Sequence, residues 1–331
     1  MARNNYSSIV CFLLFLCLFF FSCARKTEES SDIILGFSQI GAESAWRQGN
    51  TRSVQEAAEH AGVQLLFFNA EQKQENQIRA IRSFIAYQVD VIAFVPIVSD
   101  GWENVLEEAR EANIPVLICD REIDIEDESL FAGYLGTNMF QQGEKAAEFL
   151  VRKFIDMQTG ELLDNWQAPV RIVELRGTEG SSPEIKRAEG FREVLANYPV
   201  FEIIFSESGD FLRSKGYELM NNILNILNDI DVIYSHNDGM TLGAIDAMKE
   251  RGIIPGEDII IVSIDAEQAA IDALRRGEIN AVVECNPMQG PEIIRLATLL
   301  ARNESIPRIT FMHEEVFTQW DDLSALLPRG Y

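Results

Sequence analysis

From residue 32 onward, short apolar runs and longer stretches of helical periodicity take turns along the chain. Apolar runs fall at 33–40, 63–70, 89–98, 114–120 and 131–137, with helical patterns at 44–61, 73–87 and 101–112 between them. A second series has runs near 170–176, 201–206, 231–235, 259–264 and 279–285, and helical patterns near 139–156, 183–197, 211–228, 239–251 and 267–276. A last helical pattern at 289–303 precedes a strand-like stretch at 308–318. Runs such as Val91-Ile92-Ala93-Phe94-Val95 carry no polar alternation, as strands covered by helices on both faces require. The alternation predicts an α/β protein of parallel sheets with right-handed crossovers. Five strands followed by five more predict two doubly wound lobes in preference to one barrel.

Polar residues gather where such a fold places ligands. In an open α/β sheet the crevice lies outside the carboxyl ends of the strands. Ser38-Gln39-Ile40-Gly41-Ala42-Glu43-Ser44-Ala45-Trp46-Arg47 leaves the first strand with an acid, a base and an indole within five residues. Asp120-Arg121 follows Val116-Leu117-Ile118-Cys119, and Asn237-Asp238 follows the run ending at His236. Asp265 follows Ile259 to Ile264, and Glu284 and Asn286 end the run through Val283. Asp and Asn at a helix start are also ordinary N-caps, a reading that suits Asp238. Asp120 with Arg121 reads either as a structural ion pair or as an acceptor and a rigid donor fork for vicinal hydroxyls. Trp46 and Phe211 read either as core aromatics or as apolar faces for sugar C–H groups.

Catalytic signatures are absent from the sequence: no phosphate loop, no His-Glu-x-x-His and no Gly-x-Ser-x-Gly elbow. His60, His236 and His313 share no ligand spacing, and no Asp-rich loop calls for calcium. Glu43 and Asp265 form a carboxylate pair of the kind glycoside hydrolysis uses, without anything further to support it. The expectation is a binding protein, not an enzyme, with no cofactor and no metal.

At 331 residues the chain is long enough for two cores, and its 47% hydrophobic content excludes wholesale disorder. A formal net charge of -24 disfavours nucleic acid and anionic lipid surfaces as partners. Three of the five cysteines, Cys11, Cys17 and Cys23, fall in an N-terminal apolar segment. Cys119 and Cys285 sit inside strand patterns, where buried thiols are expected and a disulfide is the alternative in an oxidising compartment.

Arg3 and the apolar stretch Ile9 to Phe21 have the charge and length of an export signal rather than of a membrane span. Phe20-Phe21-Ser22-Cys23 resembles a bacterial lipobox, which makes 1–22 a lipoprotein signal, Cys23 the acylated residue and 23–31 a polar tether. An ordinary cleaved signal with an incidental cysteine is the other reading. The expected location is the periplasm or the cell surface, with the membrane touched through the lipid alone.

The residues after the tether resemble the type I periplasmic sugar-binding proteins of ABC transporters over nearly their whole length, most of all the galactofuranose-binding members. The resemblance is carried by Gly36-Phe37-Ser38-Gln39-Ile40-Gly41 with Glu43-Ser44 and Trp46-Arg47, and by Gln72-Lys73-Gln74-Glu75-Asn76-Gln77-Ile78. Asp120-Arg121-Glu122-Ile123-Asp124, Ser208-Gly209-Asp210-Phe211 with Arg213-Ser214-Lys215-Gly216, His236-Asn237-Asp238 and the ending Gly330-Tyr331 also carry it. It implies two lobes joined by a multi-strand hinge, the first from 32–137 with 286–308 and the second from 138–285 with 309–331. It implies a monosaccharide site with Gln39, Glu43, Ser44, Trp46, Arg47, Asp120 and Arg121 on the first lobe. Arg187, Phe211, Asn237 and Asp265 would line the second lobe, with Glu284 near the hinge. The implied partners are a galactofuranose- or galactose-like sugar and an ABC permease, or alternatively a chemoreceptor or sensor kinase, for a chain that acts as a monomer. A LacI-type repressor shares the implied fold but carries a DNA-binding helix pair where this chain has an export signal.

Overall fold

The computed structural model describes residues 33–42, 44–163 and 166–331. The segment expected to be an export signal, Cys23, the expected tether and Glu43 lie outside the described residues. The first series forms β1 (Ile34–Gln39), α1 (Ala45–Ala61), β2 (Gln64–Asn69), α2 (Gln74–Tyr87), β3 (Val91–Phe94), α3 (Glu103–Glu111), β4 (Val116–Asp120) and β5 (Gly133–Gly136). The second forms α4 (Met139–Phe154), β6 (Val170–Arg176), α5 (Ser182–Leu195), β7 (Phe201–Ser208), α6 (Arg213–Ile226) and β8 (Val232–Ser235). It continues through α7 (Asp238–Glu250), β9 (Ile260–Asp265), α8 (Gln268–Arg275) and β10 (Ala281–Glu284). The chain closes with α9 (Gly290–Ala301), β11 (Ile309–Phe311) and β12 (Val316–Thr318).

Each lobe is built on one six-stranded sheet, ordered β11-β5-β4-β3-β1-β2 in the first and β12-β10-β9-β8-β6-β7 in the second. Pairing is parallel throughout except for β12, which runs antiparallel to β10. Central strands such as β3, β9 and β10 are buried along their whole length, and the edge strands β2 and β7 are not. That difference is why the central runs lack polar alternation. Helices cover both faces of each sheet and divide each lobe's core in two. In the first lobe, one core packs Leu35 and Phe37 with Ile293 and Leu296 of α9, and the other packs Ile92 and Phe94 with Trp102 and Leu106. Fully burying a side chain of this kind stabilises by roughly 1.5–3 kcal/mol.

The chain crosses between lobes three times: from β5 to α4, from β10 to α9, and from β11 to β12. The third crossing corrects the expected boundary. The stretch 308–318 is two strands: Ile309–Phe311 adds to the first sheet beside β5, and Val316–Thr318 adds to the second beside β10. Residues 309–311 therefore belong to the first lobe and the crossing lies at 312–315. Ile309 and Phe311 are exposed edge positions, so their local pattern did not reveal which sheet they join.

Helix α1 shows how sequence places a site residue. Ser44 stands in extended backbone as the N-cap, its Oγ accepting from the Arg47 backbone N–H at 3.1 Å. Gly62 ends the helix at φ 68°, a left-handed cap that glycine adopts without strain. Trp46 and Arg47 are thereby fixed in the first turn, directly over the carboxyl end of β1.

Candidate functional site

The two lobes are closed on each other, and a cavity of about 350 Å³ lies between the carboxyl ends of their strands. Its first-lobe wall is Ser44, Trp46, Arg47, Asp120 and Arg121, and its second-lobe wall includes Arg187, Phe211, Asn237 and Asp265. Residues more than two hundred positions apart thus meet across one space.

Charge dominates the walls. Arg47 Nη2 donates to Asp120 Oδ2 at 2.7 Å, and both side chains are buried. The Arg47 guanidinium also lies 4.5 Å from the Trp46 ring centroid, within cation–π range. Arg121 donates through Nη1 to the Ile97 carbonyl at 2.9 Å, and its guanidinium faces the Phe211 ring of the opposite lobe at 5.3 Å. Arg187 approaches the same ring from the second lobe at 6.0 Å. Its Nη1 donates to the His236 carbonyl at 2.5 Å, and Nη2 stands 3.8 Å from Asp265 Oδ1. Burial pushes the Asp265 carboxyl well above its usual range, against the pull of Arg187 and with a further push from Asp238.

Three wall residues hold unusual backbone. Asp120 stands at φ 60°, Phe211 at φ 61° and Asp265 at φ 131°. Left-handed backbone is tolerated by Asp but uncommon for an aromatic residue, and such strain collects at functional sites at about 1–3 kcal/mol each. Phe211 is held there from two sides. Its carbonyl accepts from Asn237 Nδ2 at 3.1 Å, and its ring packs on Gly177, where an added Cβ would fall 1.8 Å from a ring carbon. Asn237 also caps α7, its Oδ1 accepting from the Met240 N–H at 3.0 Å. The cap expected of Asp238 is thus Asn237's, while Asp238 is buried and accepts from Ser263 Oγ at 2.5 Å and from the Glu267 N–H at 2.7 Å.

Two expected ligand residues do not line the cavity. Gln39 is fully buried, its Nε2 donating to Asn50 Oδ1 at 2.9 Å and Thr51 Oγ1 at 3.2 Å, so it fastens the end of β1 to α1. Glu284 stands at the second crossing, where its carboxylate accepts from the Glu315 N–H at 2.9 Å and pairs with Arg329 near the C-terminus. Met139, Pro183 and Cys285 line the cavity without having been singled out. Met139 and Pro183 open α4 and α5, and their apolar side chains give no chemical signal in sequence. Cys119 and Cys285 are both buried free thiols.

Closure has its own contacts. The Trp46 backbone N–H donates to Glu267 Oε1 at 2.9 Å, and its indole Nε1 donates to the Cys285 carbonyl at 2.5 Å. At the far side of the cleft the Ser99 N–H donates to the Gly180 carbonyl at 3.1 Å, the Glu122 N–H to Ser182 Oγ at 2.8 Å, and Lys186 pairs with Glu122. Glu267 is the notable partner. A second-lobe carboxylate satisfies one of the free amides at the start of first-lobe helix α1, where the helix dipole favours negative charge. Burial raises its carboxyl above the usual range, and the Trp46 amide pulls it back down.

The surroundings fit a small polyhydroxylated ring. Guanidinium forks and carboxylates match vicinal hydroxyls, while Trp46, Phe211, Met139 and Pro183 offer apolar faces. Among the described residues there is no cluster of side chains able to hold a metal ion, and no helix long and apolar enough to cross a membrane.

Comparison with known proteins agrees with this geometry. Residues 35–305 match the family model of the periplasmic binding protein domain. The galactofuranose-binding protein YtfQ of Escherichia coli (strain K12) is 42% identical over 266 residues, 79% of this chain and 80% of its own. A Mycobacterium smegmatis crystal structure in complex with β-D-fucofuranose superposes with a TM-score of 0.82 at 42% identity, covering 87% of this chain and 91% of that one. The binding-protein component of the arabinose ABC transporter from Shewanella sp. ANA-3, bound to α- and β-L-arabinofuranose, gives 0.80 at 39% identity over 86% and 92% of the two chains.

Glu267→Ala removes a charged acceptor that crosses the cleft, and hydrogen bonds to charged groups contribute roughly 1.5–3 kcal/mol. The ratio of closed to open molecules is expected to fall at least about tenfold. Small-angle scattering across a monosaccharide titration checks this, since a radius of gyration that contracts at the same sugar concentration in the variant as in the wild type contradicts the role of Glu267 in closure.

Proposed function

Because this chain belongs to the periplasmic binding protein family, we propose that it captures one furanose-form monosaccharide of the galactofuranose or arabinofuranose type. Closure of the two lobes holds the sugar, and the closed form hands it to an ABC permease. The observation that carries the reading is the buried charge on both walls of one cavity: Arg47, Asp120 and Arg121 on one side, Arg187 and Asp265 on the other. The furanose preference is supported by the three relatives above, at 39% to 42% identity, whose descriptions name five-membered sugar rings.

In the mechanism, the first lobe presents a fixed half-site. Arg47 locks Asp120 in place, Asp120 accepts from two ring hydroxyls, and Arg121 donates to a neighbouring oxygen. Phe211 then stacks on the sugar's C–H face as the second lobe rotates in, and Arg187, Asn237 and Asp265 complete the hydrogen bonds. The closed state gains by the contacts the ligand makes to the second lobe. Several hydrogen bonds to charged groups, less the ordering cost, correspond to micromolar affinity, on the order of -8 kcal/mol.

A thermal-shift screen of D-galactose, L-arabinose, D-ribose and D-fructose tests the reading. Galactose or arabinose at about 100 times Kd is expected to stabilise by roughly 2.7 kcal/mol, which raises the melting temperature by about 4 °C for a folded region of this length. Ribose is expected to have little effect. Arg121→Ala is expected to abolish the shift while the protein remains folded, and an undiminished shift in that variant contradicts the assignment.

We further propose that Cys23 carries a lipid anchor and that 24–31 spans the gap between membrane and lobes. The support is the Phe-Phe-Ser-Cys ending of the apolar segment and the polar run after it. Expressed in a bacterial host, the wild type is expected in the membrane fraction and the detergent phase of a phase-separation assay, and Cys23→Ser in the aqueous phase. Equal partitioning of the two contradicts the anchor.

A further inference from the structure

Gln142, in the first turn of α4 just after the first crossing, is fully buried and does not line the cavity, yet its side chain reaches the third crossing and the strand end before the second. Its Oε1 accepts from Arg187 Nε at 2.8 Å. Its Nε2 donates to both carboxylate oxygens of Glu314, at 2.9 and 3.0 Å, and lies 3.5 Å from the Glu284 carbonyl. Glu314 stands in the third crossing, Glu284 ends the strand before the second, and Gln142 follows the first. The Asn286 N–H of the second crossing also reaches Glu314, at 3.4 Å. One amide therefore ties all three crossings to one sugar-facing guanidinium.

The direction of this chain is set by chemistry. Arg187 can only donate, so the Gln142 oxygen must face it and the Gln142 NH2 must face Glu314, which must accept. The approach of α4 to α5 that permits the contact depends on two glycines. A Cβ on Gly143 would fall 2.2 Å from the Arg187 carbonyl oxygen, and one on Gly190 would fall 2.0 Å from that of Phe140. The Arg187 guanidinium is then held at Nε by Gln142 and at Nη1 by the His236 carbonyl, leaving Nη2 directed at Asp265.

We propose that Gln142 and Glu314 are positioning residues: a relay from the hinge that orients Arg187 toward the ligand and registers lobe rotation at the sugar. The inference rests on the binding function proposed above. It predicts that the relay works in either polarity. Glu314→Gln removes the charged acceptor, and Gln142→Glu sets two carboxylates against each other. Gln142→Glu combined with Glu314→Gln restores donor-to-acceptor order, with Arg187 and the introduced amide both donating to the introduced carboxylate.

The test is a double-mutant cycle read by calorimetric titration with L-arabinose and D-galactose. It is run at pH 8.5, because burial raises the Glu314 carboxyl to about 7 against the pull of Gln142, Arg187 and Lys145, and it must be ionised in the wild type. Each single variant is expected to bind about tenfold more weakly, and the double variant to return within about threefold of the wild type. Unchanged single variants, or a double variant no better than the weaker single, overturn the proposal. The same cycle on ligand-free melting temperatures is expected to show the same loss and recovery, and additive losses there overturn the relay. A wild type that binds no sugar while the melting cycle shows recovery sinks the furanose reading and leaves the relay standing.

Discussion

Burying charge is the constraint on which this architecture turns. Arg47, Arg121, Arg187, Asp120 and Asp265 are each no more than 5% exposed, in a protein whose sheets otherwise bury continuous apolar runs. A buried ion is costly unless it is paired and hydrogen-bonded. The chain meets that cost by mounting the groups at strand ends and helix starts, where backbone carbonyls and opposite charges are at hand. Arg47 meets Asp120, Arg121 meets the Ile97 carbonyl, and Arg187 meets Gln142 and the His236 carbonyl. These contacts also fix the directions in which the groups point, which a site must do before it can recognise the hydroxyl pattern of a sugar.

Two levels of organisation follow. Within each lobe, parallel strands deliver polar residues to one end of the sheet. Between lobes, closure brings the two sets of polar ends together and adds contacts made by neither lobe alone. Trp46 serves both levels: it lines the cavity from the first turn of α1, and its two N–H groups reach Glu267 and Cys285 on the second lobe. Backbone strain at Asp120, Phe211 and Asp265 belongs to the same design, since sparsely populated backbone persists where surrounding structure holds it and collects at ligand sites.

Much of this was legible in the sequence. Apolar runs without alternation located the central strands, and helical periodicity located the helices between them, so the α/β class and the two lobes could be read directly. Asp120, Arg121, Asn237 and Asp265 announced themselves as polar residues directly after apolar runs, and the structure brings them to one cavity. Gln39 follows the same local rule yet turns to Asn50 and Thr51, because only tertiary packing decides which way a side chain leaves a strand end. Glu267 and Gln142 were silent, since their partners lie 221 residues away in one case and 172 in the other. The division of 308–318 into strands of different sheets was equally hidden. Three-residue edge strands carry too few positions for a pattern, and their assignment depends on which sheet edge lies nearby.

The central claim is that the closed cleft accepts a single five-membered sugar ring gripped from both lobes. Titration calorimetry with ring-locked ligands tests it most directly, comparing 1,4-anhydrogalactitol, which is fixed as a furanose, with 1,5-anhydrogalactitol, which is fixed as a pyranose. Saturable binding of the first at micromolar to sub-millimolar concentrations is expected, with no measurable heat from the second. Tighter binding of the six-membered ring, or equal binding of the two, would contradict the claim.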